Sequence, residues 1–408
     1  MVAIKPFKAI RPKADKVEEV VCPPYDVLEK NTIDKLADNP INFVHIIRSE
    51  VDLGEGVNPH DDIVYAKASD NLNKFQEDGI LVEEESVCFY IYRQIRRGRV
   101  QNGLVGCVNI DDYVDEKIRK HELTRIDKEK DRINHFHICN AQTEPVFLFY
   151  EKSLLINNLI NNYTEDNFPI YDFVTSDEVK HIVWKISDEA ILQNIIGAFQ
   201  EIDILYIADG HHRSASAAKV GLLKREENNG ASGEYEHFQA VIFPAEELLI
   251  MPYNRVVKDL NGHSEEQFIK LLQNDFIVKK IETIEEPKQK GDFTMIIKNN
   301  VYSLTVKEHN ICDDVVSKLD ASILQNKVLS PLLGIEDPRT DPNIEFYGGD
   351  DMLENITDRL NNDMKVAFLL YPTQINEIIS VSREKKIMPP KSTWFEPKLL
   401  SGLFVHRI

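Results

Sequence analysis

The chain has 408 residues, 42% hydrophobic and 28% charged, the balance of a soluble globular protein too long for one small core. Its formal net charge of −20 argues against a duplex-binding protein, because the short basic cluster Arg93 to Arg99 is expected to lie solvated on a hairpin turn. No apolar run reaches the roughly 18 residues of a membrane span. The start, Met1 to Pro6, lacks a signal peptide's apolar stretch, and five scattered cysteines contain no CxxC pair, so a cytoplasmic chain with free thiols is expected.

Residues 1–30 are Pro-rich, and Pro23-Pro24 hold Tyr25 and Asp26 on an extended backbone, either as a rigid connector or beside a site. A short helix is expected from Asn31 to Asn39, a strand over Phe43 to Arg48, and a helix from Val64 to Asp78 that stops at Gly79. Val87 to Tyr92 and Leu104 to Val108 read as a hairpin around Arg97-Gly98 and Asn102-Gly103. The polar segment from His121 to His137 reads as a helix with a solvated charged face, although three histidines and Glu122 are dense there. Strands follow at Pro145 to Tyr150 and His181 to Ile186, then a helix N-capped by Ser187.

Ile202 to Ala208 is of strand length, Asp209-Gly210-His211-His212-Arg213 is a sharp turn, and Ser214 onward is an Ala/Ser-rich helix. Gly210 permits the bend. The turn places an acid, two imidazoles and a guanidinium at a helix N-terminus, which favours an anion, and it reads as a phosphate cradle. The plainer alternative makes Asp209 an N-cap and Arg213 a surface charge. A strand is expected at Gln239 to Pro244, followed by the loop Met251 to Arg255. Beyond it come a helix from Glu265, a hairpin across Lys298 to Asn300, a helix over Asp320 to Val328, a strand at Lys365 to Tyr371 and a helix from Thr373. The segment Met388 to Lys398 carries Trp394 and Phe395 and is expected to pack, presenting Lys391 and Ser392. Irregular alternation with frequent hairpins predicts an α+β, mixed α/β fold. Its parts are an N-terminal region 1–165, a core 166–262 and a C-terminal region 263–408 that returns to the site through 388–398.

Five motifs in order, Cys22-Pro23-Pro24-Tyr25-Asp26-Val27, His121-Glu122-Leu123-Thr124, Asp209 to Arg213, Met251-Pro252-Tyr253-Asn254-Arg255 and Met388 to Phe395, resemble the family catalogued as "domain of unknown function ten-fifteen". The Asp-Gly-His-His-Arg turn is also similar to that of free-serine kinases of the ParB/sulfiredoxin-like superfamily. That resemblance implies a ParB/sulfiredoxin-like element at the turn, a grip on nucleotide phosphate and a glutamate upstream that acts on the serine hydroxyl.

It further implies a phosphotransferase between serine or phosphoserine and ADP or ATP with magnesium; the net charge and the lack of a membrane-length apolar run make a nucleic-acid or membrane partner unexpected. Glu122, Asp209, His211, His212 and Arg213 are the expected catalytic residues, with Asp26 and Asp112 competing for the role of Glu122. Gly210, Ser214, Lys391 and Ser392 join the histidines and Arg213 on phosphate or nucleotide. Tyr25, Asp26, His121, Thr124, Arg132, Tyr253, Asn254, Arg255 and Trp394 are expected at the substrate, and Asp209 at magnesium. The absence of a Gly-x-x-x-x-Gly-Lys-Ser/Thr loop argues against a P-loop enzyme. Two alternatives compete. One is a metal-dependent phosphoserine phosphatase using His121, Glu122, His135, His137, Asp209, His211 and His212. The other is a ParB-type nucleic-acid module, which the charge opposes.

Overall fold

The computed structural model describes residues 1–54, 56–308 and 313–408. Cys312, one of the thiols expected to be free, lies outside them, and Cys22, Cys88, Cys107 and Cys139 are buried free thiols. The fold is mixed α/β, as the alternation of elements predicts. Its residues form two compact units. The first holds Met1–Lys120, Thr124–Leu248 and Pro397–Ile408, and the second holds His121–Leu123 and Leu249–Glu396.

The first unit is built on a nine-stranded sheet. In spatial order it runs Ile118–Arg119, Leu205–Asp209, Val146–Tyr150, His237–Pro244, Arg99–Asn109, Phe89–Arg96, Lys180–Ile186 and Tyr171–Val174, with Ile4–Lys5 added beside Arg99–Asn109. Pairing is antiparallel except where Leu205–Asp209 meets Ile118–Arg119 and where Val146–Tyr150 meets His237–Pro244. Val146–Tyr150 is apolar and buried at every position, as a strand covered on both faces must be. The helices Leu154–Asp166 and Glu189–Phe199 pack Ile156, Ile160, Leu192, Ile195 and Phe199 into the same core as Leu104, Leu148, Ile207 and Ile242.

Several local expectations change. Phe43 to Arg48 is not a strand: Val44–Ile47 is a short helix whose entry Asn42 fixes by accepting the Val44 N–H at 3.0 Å. A run this short, buried all round, carries no period to separate helix from strand. The helix after Lys180–Ile186 is capped by Asp188, not Ser187, because the Asp188 side chain accepts the Ile191 N–H. The hairpin turns at Arg97-Gly98 alone, while Asn102 and Gly103 lie inside the strand. A Cβ on Gly103 would come within 2.7 Å of the Phe243 ring, so the neighbouring strand requires glycine there.

The basic cluster is partly folded in rather than solvated. Arg93 lies 4.9 Å over Trp184, Arg96 is buried, and Arg99 donates to the carbonyls of Glu247 and Leu248. Among the described residues no helix is long and apolar enough to cross a membrane.

The second unit carries a six-stranded antiparallel sheet ordered Phe276–Ile281, Asn300–Val306, Asp292–Ile297, Val366–Leu370, Asn254–Val257 and Ile344–Tyr347. Ser264 starts the helix Glu265–Leu272 with a capping box to Gln267. The stretch expected to be one helix over Asp320 to Val328 is a short α-helix, Asp320–Leu324, continuing as a π-helix, Gln325–Leu329.

Asp320 is buried and accepts the Gly291 N–H with both oxygens, at 3.0 and 3.2 Å. Burial raises its pKa to about 7; the Gly291 N–H and Lys290 oppose the rise, and Glu377 and Asp292 add to it. A carboxyl raised in the folded state binds more protons folded than unfolded between its ordinary value and 7. Stability is therefore expected to fall as pH climbs from 4 to 7 and to stay lower above it. Asp320→Asn should remove that dependence and be more stable than the parent at pH 8 by on the order of a few kcal/mol. Urea unfolding at pH 5 and pH 8 measures it, and a parent and variant that track each other at both pH values would contradict it.

Candidate active site

The strand Leu205–Asp209 and the helix His211–Glu227 meet at Gly210. The strand's pairing with Val146–Tyr150 is irregular between Ile207 and Asp209, which re-aims the chain just before the turn. Gly210 has φ 92° and ψ 33°, a left-handed conformation that a side chain disfavours. A Cβ there would also sit 3.1 Å from Arg213 Nε. The helix N-cap is Gly210, with no side-chain capping hydrogen bond, so Asp209 ends the strand and is not the cap. The Ser214 hydroxyl donates to the Gly210 carbonyl at 3.0 Å and is engaged within the turn.

The small residues after it have a packing cause. Ser216 and Ala217 are buried, and Ser216 Oγ donates to Glu129 O of the helix Ile126–Cys139 at 3.0 Å. That helix is not the solvated element expected, since Glu129, Asp131, Arg132 and His135 are all buried.

Arg213 is no surface charge: it is 2% exposed. Its Nη1 donates to Pro145 O at 2.6 Å and its Nη2 to Asp209 Oδ2 at 3.3 Å, while Nε has no hydrogen-bond partner among the described residues. Lys398 Nζ lies 3.9 Å from the same Asp209 oxygen. Burial alone would raise the Asp209 carboxyl, but the charges of Lys398, Arg213 and His211 outweigh it and hold it well below the usual carboxylate range. Burial opposes the charge on Arg213, and Asp26, Asp209 and Glu144 together more than restore it. Asp26 is exposed, and its charge acts on Arg213. His212 Nε2 accepts the Arg125 N–H at 2.9 Å, which leaves the proton of the neutral ring on Nδ1.

Glu144 fixes the loop that carries Asp26. One oxygen accepts the Tyr25 N–H at 3.0 Å and the Ser401 hydroxyl at 2.9 Å, and the other lies 3.4 Å from Arg132 Nη1. Arg132 donates twice to Asp131 Oδ2, at 3.0 and 2.8 Å, and its guanidinium lies 4.1 Å over the Tyr25 ring. Tyr25 and Arg132 are both buried, so they support the site rather than face a ligand. Thr124 donates to Glu129 at 2.8 Å. Asp112 accepts the Ala3 N–H and Lys117 Nζ, at 2.8 and 2.7 Å, and is spent in structure.

In the second unit the other motifs meet one another. The Trp394 ring stands edge-on to Tyr253 at 5.0 Å, and Lys391 Nζ lies 5.5 Å from the Tyr253 ring. Arg255 donates to the carbonyls of Tyr253 and Lys391, and burial lowers its pKa to about 10. Lys391 takes φ 58°, unusual for a side-chain residue and held by those contacts. The Ser392 hydroxyl donates to Pro389 O at 2.6 Å. His121 Nε2 lies 3.2 Å from Thr393 Oγ1, and its carbonyl accepts the Met388 N–H at 2.8 Å. Asn254 is fully buried, bonded to Met352 Sδ and the Leu370 N–H, and serves the sheet. Glu122, half-buried, belongs to the short 121–123 segment of this unit.

Of the metal-site candidates, His121 and Glu122 belong to the second unit and His135, His137, Asp209, His211 and His212 to the first. His135 Nε2 is 3.0 Å from Ile46 O, and burial and then Arg132 lower its pKa to about 3. Among the described residues no group of three His, Cys, Asp or Glu could hold a metal ion. Two residues escaped the sequence reading. Lys398 stands one residue past Pro397 in the C-terminal segment, and Glu144 stands just before the buried strand at Val146; position beside a stiffened backbone was the one available signal.

A family model described as "Protein of unknown function (DUF1015)" matches residues 4–322. The chain is 24% identical over 229 residues to an ATP-dependent L-serine kinase of Staphylothermus marinus, covering 55% of this chain and 79% of that protein. Among solved structures, C-terminally truncated SbnI from Staphylococcus aureus matches with TM-score 0.39 at 11% identity, over 73% of this chain and 85% of that one. A free serine kinase in complex with AMP matches with TM-score 0.36 at 12% identity, over 71% and 86%.

Proposed function

Because this chain belongs to the DUF1015 family, whose description carries no activity, we propose a function from its site: phosphoryl transfer between serine or phosphoserine and an adenine nucleotide. The observation that carries this reading is the Asp209 carboxylate shared by Arg213 and Lys398 at an N-terminus with no side-chain cap. Two cations against one carboxylate, with the helix dipole added, favour a phosphate oxygen. The likeness to a named ATP-dependent L-serine kinase supports the choice of substrates.

In the kinase direction the bond between the γ-phosphorus and the β-bridging oxygen breaks. A bond to the serine hydroxyl oxygen forms, ADP leaves, and the hydroxyl proton passes to a carboxylate. Asp26 suits that last role, being exposed and in the same unit as Arg213, whereas Glu122, Lys391, Ser392, Tyr253 and Trp394 belong to the second unit. His211 and His212 are proposed as donors to phosphate. Asp209, flanked by two cations, fits a magnesium ion poorly as its sole ligand, and magnesium commonly rests on nucleotide phosphates and water. The metal-dependent phosphatase has no ligand cluster to carry it among the described residues.

The test is transfer from phosphoserine to ADP and from ATP to serine, each measured with purified protein. Asp26→Asn and Glu122→Gln should be assayed in parallel. We expect the Asp26 variant to lose about a hundredfold in turnover, the usual contribution of a positioned acid–base group, with an unchanged melting curve. Phosphate release from phosphoserine that does not depend on ADP would favour the hydrolase instead.

A further inference from the structure

We propose that Lys398, supplied by the last residues of the chain, is the cation that leaves Asp209 to meet the incoming phosphate. This deepens the phosphotransferase reading and rests on it. Lys398 lies outside the residues matched by the family model, which end at 322.

The geometry separates the two cations at the turn. Arg213 is buried, and both of its terminal nitrogens are engaged, one by Pro145 O and one by Asp209. Turning its fork outward would strand a buried carbonyl. The Lys398 side chain is 17% exposed, and its ammonium stands 3.9 Å from Asp209, an ion pair longer than a hydrogen bond. A point charge on a flexible four-carbon stem can swing from that carboxylate to an anion, which a planar fork held by two acceptors cannot do. Arg213 then holds Asp209 in place while Lys398 is exchanged.

The backbone that carries Lys398 is built rather than frayed. Gln94 Nε2, fully buried, donates to Lys398 O at 2.8 Å and is itself oriented by Gln101. Three residues on, Ser401 exchanges two backbone hydrogen bonds with Cys22 and donates its hydroxyl to Glu144. The Glu144 oxygen that accepts Ser401 also accepts the Tyr25 N–H. One buried carboxylate therefore registers the segment carrying Lys398 against the loop carrying Asp26. Leu399, Leu403, Phe404 and Val405 are buried and anchor the rest.

The experiment compares the parent with Lys398→Met and Lys398→Arg. ADP binding is measured by calorimetry, transfer by steady-state kinetics, and folding by melting curves. We expect Lys398→Met to weaken ADP binding and raise KM for nucleotide by roughly ten- to a hundredfold, the effect of losing one charge-assisted contact. The melting curve should hardly move, and Lys398→Arg should recover most of the binding. Parent-like affinity and kinetics in Lys398→Met would overturn the role of Lys398 and leave the phosphotransferase reading intact. Equal losses in Met and Arg variants, accompanied by a lowered melting temperature, would assign Lys398 to structure alone and overturn it too. A parent that neither binds ADP nor transfers phosphate would remove both readings together.

Discussion

Arg213→Lys is expected to lower phosphoryl transfer by roughly ten- to a thousandfold, the range seen when one positioned donor is lost, and to lower stability as well. The turn's sequence alone suggests that the fold would survive such a change untouched. The structure adds the second effect. The planar fork of Arg213 spans two acceptors, Pro145 O at 2.6 Å and Asp209 Oδ2 at 3.3 Å, and a lysine ammonium cannot reproduce that spread. Leaving one buried acceptor unbonded costs about 1–3 kcal/mol. Arg213→Met should be worse, at about 3–5 kcal/mol, because a partly buried carboxylate then loses its inner partner. Denaturant unfolding and turnover measured on the same preparations check both halves. Wild-type turnover in Arg213→Lys would sink the assignment of this turn to phosphate. Wild-type stability would show that the buried contacts are dispensable.

Glu144→Ala should be the most destabilising single substitution around the site, at about 3–5 kcal/mol. The side chain is fully buried and serves three partners on three separate stretches of chain: the Tyr25 N–H, the Ser401 hydroxyl and Arg132. Removing it leaves Arg132 with Asp131 alone and releases both the Asp26 loop and the C-terminal segment. Glu144→Gln keeps an acceptor for Tyr25 and Ser401 only by turning its NH2 toward the Arg132 donor, so an intermediate loss is expected. If Glu144→Ala unfolds at the same urea concentration as the parent, the network is not what holds these segments together. Where the Gln variant remains folded, its transfer activity should drop with its stability only if Asp26 has moved.

The elements that were legible in the sequence share a local cause. The strand–glycine–helix turn at 205–227 follows from an apolar run, one residue free to take a positive φ, and a helix-forming stretch. The hairpins at Arg97-Gly98 and Lys298-Asn299 are equally local. Among what failed, Val44–Ile47 was too short to carry a period, and the next case was judged by its polarity. The charged helix Ile126–Cys139 looks solvated from composition. Yet Asp131 and Arg132 neutralise each other, with Glu144 and Tyr25 supplied from elsewhere, and the face is buried. The Ala/Ser run after the turn carried a second meaning, close packing on that same helix, which its composition could not disclose.

The sequence by itself determined the mixed α/β class, the strand–glycine–helix turn and the motifs worth examining, because each depends on neighbours within a few residues. Tertiary structure alone decided which of those motifs keep company. Tyr25, Asp26 and Arg132 join the Asp209 turn in one unit, while His121, Tyr253, Arg255, Lys391 and Trp394 assemble in the other. It also turned Arg213 inward and brought Lys398 to Asp209 from 189 positions away. The physical reason is that ion pairing and burial depend on distance in space, and no local pattern encodes which distant carboxylate, carbonyl or ammonium will be there.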